Sequence, residues 1–288
     1  MAARALVGVD LGGTNVRVGK VADGAVTARA ARRISGAAAE DVVLGEIFET
    51  IDGVIDDDVA GIGIGVPSVV DVGRGIVYAV ENIPAWREVH LKERLEARYA
   101  RPAYVNNDAN AFALGELHFG RGRGFRNIVG MTIGTGLGAG IVIDGRLYSG
   151  VNCGAGEIGS IPYRDLTVEA YAAGPFFRRE AGLDGGVVFE RARQGDAGAL
   201  RLFHRFGLEV GHAVMTVLYA YDPELVVLGG SISRAFPFFE GGMRERLQSF
   251  AYQHALASLV IACSENEDVA VLGAAAIAID AAARARDD

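Results

Sequence analysis

Four short stretches of this 288-residue chain hold the side chains best suited to chemistry. Asn106-Asn107-Asp108-Ala109-Asn110 groups amides with a carboxylate. Asn and Asp are preferred helix N-caps, so the group can serve as a cap. A carboxylate within reach of an alcohol can also take its proton as the oxygen attacks a phosphoryl group, which would make Asp108 a general base. Asp10-Leu11-Gly12-Gly13-Thr14-Asn15 offers backbone N–H groups with no Cβ in the way, a hydroxyl and a carboxylate. It is a plain hairpin turn or a turn that approaches phosphate, with Asp10 able to hold Mg²⁺ directly or through water. Gly134-Thr135-Gly136-Leu137-Gly138-Ala139-Gly140 is a second turn of the same character. Glu157, set among glycines in 154–159, is either a solvated loop charge or a carboxylate suited to sugar hydroxyls.

Elements must hold these stretches. The apolar run 5–9 and the alternating run 16–21 make the first glycine turn the tip of a β-hairpin. Val43, Ile47, Ile51, Val54 and Ile55 recur at helix spacing over 41–55, and 59–66 reads as a strand closed by Pro67. A helix at 91–99, a buried strand at 103–105 and a helix at 109–119 put Asp108 at a strand's C-terminal end, where α/β folds bind ligands. Strands at 128–133 and 139–143 flank the second glycine turn. A dinucleotide-binding turn must open a helix, so this one is not that fingerprint. The repeated strand, glycine turn, strand unit implies duplicated halves. Further helices are predicted at 168–179, 199–221, 238–250 and 273–284, with strands at 225–228 and 259–262.

Composition excludes several classes. Half the residues are hydrophobic and 22% are charged, which rules out intrinsic disorder. Lys+Arg 28 against Asp+Glu 36 leaves a net charge of −8, which argues against nucleic acid as a partner. Two cysteines, Cys153 and Cys263, do not make a disulfide framework or a Cys-rich zinc site and fit a reducing cytoplasm. The five histidines show neither HxxH nor HExxH spacing. The apolar tract 269–279 falls short of the ~20 residues of a membrane span, and the N-terminal apolar stretch is too brief for a signal-peptide core. The chain is expected to be soluble, cytoplasmic and free of membrane.

Taken together, these residues resemble the ROK family (repressors, open reading frames and kinases) of the actin-like sugar kinases, nearly end to end. The markers are Val9 through Asn15, Gly65-Val66-Pro67-Ser68, Glu81-Asn82-Ile83-Pro84-Ala85-Trp86, Asn107-Asp108-Ala109-Asn110, the 132–140 turn, the 154–159 stretch and 225–230. The resemblance implies an α/β, two-lobed actin-like (ribonuclease H-like) fold with a mixed five-stranded sheet in each lobe. The expected lobes are 1–111 plus 273–288, and 112–272. It implies that Asp10, Gly12, Gly13, Thr14, Asn15, Gly134, Thr135 and Gly136 embrace the ATP phosphates, with Gly229 and Gly230 beside the adenosine. It implies Asp108 as catalytic base and Gly65, Ser68, Asn82, Asn107, Glu157, Ser160 and Glu169 as the sugar-binding set.

The implied activity is ATP- and Mg²⁺-dependent phosphorylation of a hexose, glucose at the 6-position first, with N-acetylmannosamine or another hexose as the alternative. The family's repressors carry a DNA-binding domain ahead of the kinase-like body. With the first glycine turn starting at Asp10 no such domain is expected here, and a catalytically silent sugar sensor is the remaining rival. Two departures stand out. Ser160 occupies the place of the family's histidine, and the cysteine cluster that binds a structural zinc is missing before Glu169. No zinc is therefore expected, and Ile161, Pro162, Tyr163 and Leu166 are expected to pack the shortened loop in its place. A homodimer is expected from the resemblance, with 236–239 as one possible contact, although these aromatics read more readily as core.

Overall fold

The computed structural model describes residues 5–284. In chain order it begins with strands β1 (Ala5–Leu11), β2 (Asn15–Ala22) and β3 (Ala25–Arg33), helix α1 (Glu40–Asp52) and strand β4 (Val59–Val66). Strands β5 (Val70–Asp71), β6 (Ile76–Val80) and β7 (Ile83–Val89) follow, then helix α2 (Leu91–Tyr99), strand β8 (Ala103–Asn107) and helix α3 (Asp108–Phe119). Next come β9 (Ile128–Ile133), β10 (Leu137–Ile143), β11 (Arg146–Leu147), a 3-10 turn at Ile158–Ser160, β12 (Pro162–Tyr163) and β13 (Leu166–Thr167). Helices α4 (Val168–Ala172), α5 (Pro175–Ala181), α6 (Gly185–Arg193) and α7 (Ala197–Tyr221) precede β14 (Leu225–Gly229). Helices α8 (Phe236–Leu247) and α9 (Gln253–Ser258), strand β15 (Val260–Cys263) and helix α10 (Val269–Arg284) complete the described chain.

Two five-stranded mixed sheets carry the fold, ordered β3-β2-β1-β4-β8 and β11-β10-β9-β14-β15. In each, an antiparallel glycine-tipped hairpin leads into parallel strands: β1 pairs β2 antiparallel and β4 parallel, and β9 pairs β10 antiparallel and β14 parallel. The expected fold class and the duplicated pattern both match. β4, flanked by parallel neighbours on both sides, is buried almost throughout, as a central parallel strand must be. β5, β6 and β7 form a separate three-stranded sheet.

The chain divides into two compact units, Met1–Gly124 with Gly145–Ala155 and Glu265–Asp288, and Phe125–Asp144 with Gly156–Ser264. The expected boundary at Ala111 falls inside α3, which is one unbroken helix and lies wholly in the first unit. It is held there by close packing on α10: a Cβ on Gly273 would strike the Ala111 carbonyl, and one on Gly115 the Val269 carbonyl. α10 also lies on β1 and β4, where Gly8 and Gly63 leave its backbone room. The first unit thus takes in 112–124, 145–155 and 265–272 as well as the expected C-terminal segment, of which residues 285–288 lie outside the described residues.

The second unit's core is aromatic, with Phe176, Phe177, Phe203, Phe206 and Phe239 buried together. Phe236, Phe238 and Phe239 pack into it, so the aromatics of the 236–239 tract belong with the core, while Pro237 is exposed. The helix predicted over 168–179 is broken into α4 and α5, because Pro175 cannot continue a helix through Gly174. Among the described residues no helix is long and apolar enough to cross a membrane.

Candidate functional site

In the first unit the C-terminal ends of three adjacent parallel strands line up. Asp10 on β1 is opposite Gly65 on β4, and Gly65 is opposite Asn106 on β8. Asp108 opens α3 one residue beyond β8. A Cβ on Gly65 would sit 3.4 Å from the Asp108 Cα, so the glycine leaves open the space beside that residue.

Asn107 is the helix cap: its Oδ1 accepts from the backbone N of Ala109 at 2.8 Å and Asn110 at 3.3 Å, while its Nδ2 donates to the Ser68 carbonyl at 3.3 Å. Asp108 Oδ1 accepts from the Ala109 N–H at 2.8 Å. The capping thus falls mainly to Asn107, the residue before Asp108.

Behind the cap lies a buried polar knot that sequence reasoning missed. Asn106 Oδ1 accepts from the Asn107 N–H at 2.8 Å, Asn110 Nδ2 at 2.9 Å and Cys153 Sγ at 3.3 Å. Cys153 thus supports this turn, and its φ of +57° marks a backbone held against its preference. Asn106, near the end of β8, and Asn110, in the first turn of α3, meet because the chain turns from strand to helix at the Asn107 cap, which no helical or strand periodicity signals.

The first glycine turn closes through Gly12 N–H to the Asn15 carbonyl at 2.9 Å, with Thr14 and Asn15 exposed. Asn82 lies against it, for a Cβ on Gly13 would come 2.6 Å from Asn82 Nδ2. Asp10 is 15% exposed and takes both Nε (2.9 Å) and Nη2 (2.6 Å) of Arg17 on its Oδ2. A single carboxylate with its Oδ1 outside the arginine fork fits a Mg²⁺ that keeps several waters and binds substrate phosphates. Ser68 is turned differently from the expected sugar contact: its hydroxyl donates to the Tyr78 and Ala79 carbonyls and braces the loop after β4.

In the second unit the turn Gly134-Thr135-Gly136 closes through Gly134 N–H to the Gly136 carbonyl at 2.9 Å. Glu169 is tied to it, accepting the Leu137 N–H on Oε2 at 2.8 Å, and a Cβ on Gly136 would lie 2.6 Å from that oxygen. Gly229 ends β14 opposite Thr132, and Gly230, at φ +83°, leaves no room for a side chain against Ile133.

Beside these glycines opens a cavity of about 650 Å³, walled by Phe177, Phe189 and Ile232 and edged by Thr135, Arg178 and Arg234. An apolar wall with a few polar groups at the rim of a glycine turn suits a nucleoside. Of this lining only Gly134 and Thr135 belonged to the expected set, because the rest comes from Gly174, α5, α6, Phe203 of α7 and the turn after Gly230, whose folding together no local motif announces.

Glu157 and Ser160 are exposed on the 3-10 turn and its cap. Although Glu157 reaches solvent, the protein crowded around its carboxyl and then the nearby Glu169 carboxylate push it above its usual range.

The loop between Ser160 and Glu169 departs from expectation. Ile161 is 38% and Leu166 47% exposed, and Pro162 is exposed as well, so an apolar plug does not hold it. It is instead a two-stranded hairpin whose Tyr163 alone turns inward, stacked on His212 with ring centroids 4.0 Å apart. Among the described residues no three His, Cys, Asp or Glu side chains gather as a metal site.

The ROK family model matches residues 6–281. The chain belongs to the ROK family.

Within that family its sequence is 35% identical over 305 aligned positions to the glucokinase of Thermotoga maritima, covering 94% of this chain and 96% of the relative. It is 30% identical over 236 positions to the xylose repressor of Bacillus subtilis, covering 76% of this chain and 61% of the repressor. Its fold matches a ROK family glucokinase from Streptomyces griseus, solved in complex with glucose and AMPPNP, with TM-score 0.80 at 27% identity over 94% and 98% of the two chains. The ROK fold is thus that of sugar kinases in the actin-like group, and the family also includes repressors.

Proposed function

We propose that this ROK protein is an ATP-dependent hexokinase that phosphorylates glucose at its 6-hydroxyl, with Asp108 as general base. The observation that carries the reading is the register of Asp10, Gly65 and Asn106 across three parallel strand ends, with Asp108 opening the helix that follows. Its kinship to glucokinases, at 35% identity over nearly the whole chain, supports the substrate class.

The chemistry follows from the groups. A sugar hydroxyl is a weak nucleophile, and a carboxylate that accepts its proton as the O–P bond forms typically contributes about 10²- to 10⁴-fold. The proton passes to Asp108, the hydroxyl oxygen bonds the γ-phosphorus, and ADP leaves with the bridging oxygen. Gly12, Gly13, Gly134 and Gly136 let backbone N–H groups approach the phosphates, with Thr14, Asn15 and Thr135 adding polar side chains and Gly229 and Gly230 bordering the adenosine. Asp10 would hold Mg²⁺, which neutralises phosphate charge. Gly65, Asn82, Asn107, Glu157, Ser160 and Glu169 would fix the sugar, Ser160 as an uncharged hydrogen-bonding partner.

An assay of ADP release over a panel of hexoses tests this. Turnover greatest with glucose supports it, turnover greatest with N-acetylmannosamine moves the substrate within the same reaction, and glucose binding without ADP release makes the chain a sensor.

A further inference from the structure

The hairpin between Ser160 and Glu169 carries a cluster that the reaction itself does not use. Its strands pair Pro162 with Thr167 and Tyr163 with Leu166, so Arg164 and Asp165 form a two-residue turn. Arg164 stands at the first central position with φ +53°, where glycine is the ordinary occupant. Such a conformation in a long side chain persists only where surrounding contacts hold it, and it is a reason to look for what the side chain does.

Arg164 reaches Glu209 on α7 at 3.0 Å, and Glu209, only 9% exposed, also accepts the Tyr163 hydroxyl at 3.1 Å. The Arg164 guanidinium lies 4.8 Å from the ring centres of both Tyr163 and Tyr171, and Arg179 covers Tyr171 at 3.9 Å. The Tyr171 hydroxyl donates to Asp165 across the turn.

Tyr171 and Glu169 share α4, a helix of five residues with no side-chain N-cap. One turn of helix has no stability of its own, so its direction is set by what its side chains grip. On the other side of the hairpin, the Ile161 carbonyl accepts the Val168 N–H at 2.9 Å, which ties the 3-10 turn bearing Ser160 to the start of α4.

We infer that Arg164, clamped between Glu209 and the two tyrosine rings, is a positioning residue that aims Glu169 and the Glu157–Ser160 turn at the acceptor sugar. This rests on the hexokinase reading above and adds to it the device that sets acceptor affinity. Arg164 touches no substrate; it acts through α4.

Arg164→Gly separates this from a merely structural part. Glycine relieves the positive φ but leaves the Glu209 carboxylate without its cation, so melting temperature is read separately from the kinetic constants of the folded enzyme. Its KM for glucose should rise about tenfold while its KM for ATP stays within about twofold of wild type. Tyr163→Phe, which removes one hydroxyl, should raise the glucose KM severalfold, and Arg164→Lys, which keeps the cation but not its planar fork, should fall between wild type and glycine. A wild-type glucose KM in Arg164→Gly overturns the inference and leaves the hexokinase reading standing. So does a drop in melting temperature and active fraction with KM unchanged. A wild-type protein that neither binds nor phosphorylates glucose or any other hexose overturns both.

Discussion

The two glycine turns occupy the same place in two sheets of the same design and differ in charge. On β1, Asp10 is opposite Arg17 on one side and Gly65 on the other; on β9 the corresponding position is Thr132, opposite Gly138 and Gly229. Thr132 keeps its hydroxyl on the Gly138 carbonyl at 3.4 Å, whereas Asp10 presents a carboxylate steadied by a guanidinium. One frame has thus been used twice, once with a carboxylate at the strand end and once with a neutral hydroxyl, and we propose that the first binds the cation while the second turn meets phosphate without repulsion. The glycines sort the same way in both. Gly13 and Gly136 are required by neighbours, Asn82 and Glu169, while a Cβ on Gly12 or Gly134 would meet nothing nearer than 3.5 Å and 3.6 Å. No neighbour within the fold crowds those two positions, and we propose close approach of a ligand as the reason for glycine there.

The sharpest way to break this comparison is at the base. Asp108→Ala should lower kcat by about 10² to 10⁴ with the melting temperature and glucose affinity nearly unchanged, as measured by steady-state kinetics and calorimetry. Near-normal turnover removes Asp108 from the reaction.

Next in size are Gly12→Ala and Gly134→Ala. Each should fold as the wild type does and raise the KM for ATP about tenfold, because the added methyl occupies phosphate space and not protein space. A loss of stability without a change in KM in either variant assigns that glycine to the fold instead.

Asp10→Asn should raise the Mg²⁺ concentration needed for half-maximal rate severalfold, while Thr132→Val should leave it alone. Equal responses in a Mg²⁺ titration erase the proposed division of labour between the turns.

A smaller effect is expected from Glu157, whose carboxyl is raised by burial and then by Glu169. A raised acid favours the protonated folded protein, so its contribution to stability is present below the ordinary carboxylate pKa and is lost as pH rises through the raised value. Glu157→Gln should therefore melt slightly higher than wild type at neutral pH, with the gain vanishing below about pH 4. A constant offset across pH in scanning calorimetry contradicts this. The smallest expected effect is none: we propose that activity survives chelation of zinc and that elemental analysis finds well under one zinc per chain.

What could be read in the sequence was whatever short-range pattern encodes. The β1 and β2 hairpin, β4, α2, α3 and α7 lie close to their expected spans, α2 and α7 burying one face and β4 and α3 buried along most of their length. β3 was missed because Ala25–Arg33, an edge strand exposed along much of its length, carries alanines and arginines in place of β-branched residues. The motif residues were legible because glycine pairs and Asn-Asp clusters at strand ends have few structural uses. The supports were not. Cys153 beneath Asn106, Glu209 beneath Arg164 and Phe189 in the cavity wall join segments tens of residues apart, and nothing local marks them.

The central claim is a transfer of phosphate to a defined oxygen, and phosphorus NMR of the wild-type protein with glucose, ATP and Mg²⁺ reads it directly. The expected spectrum converts ATP to ADP and glucose 6-phosphate in equal amounts, with the new phosphorus coupled to the two protons on carbon 6. ADP appearing with inorganic phosphate alone, a phosphate on another hydroxyl, or an unchanged ATP signal with glucose present would contradict it.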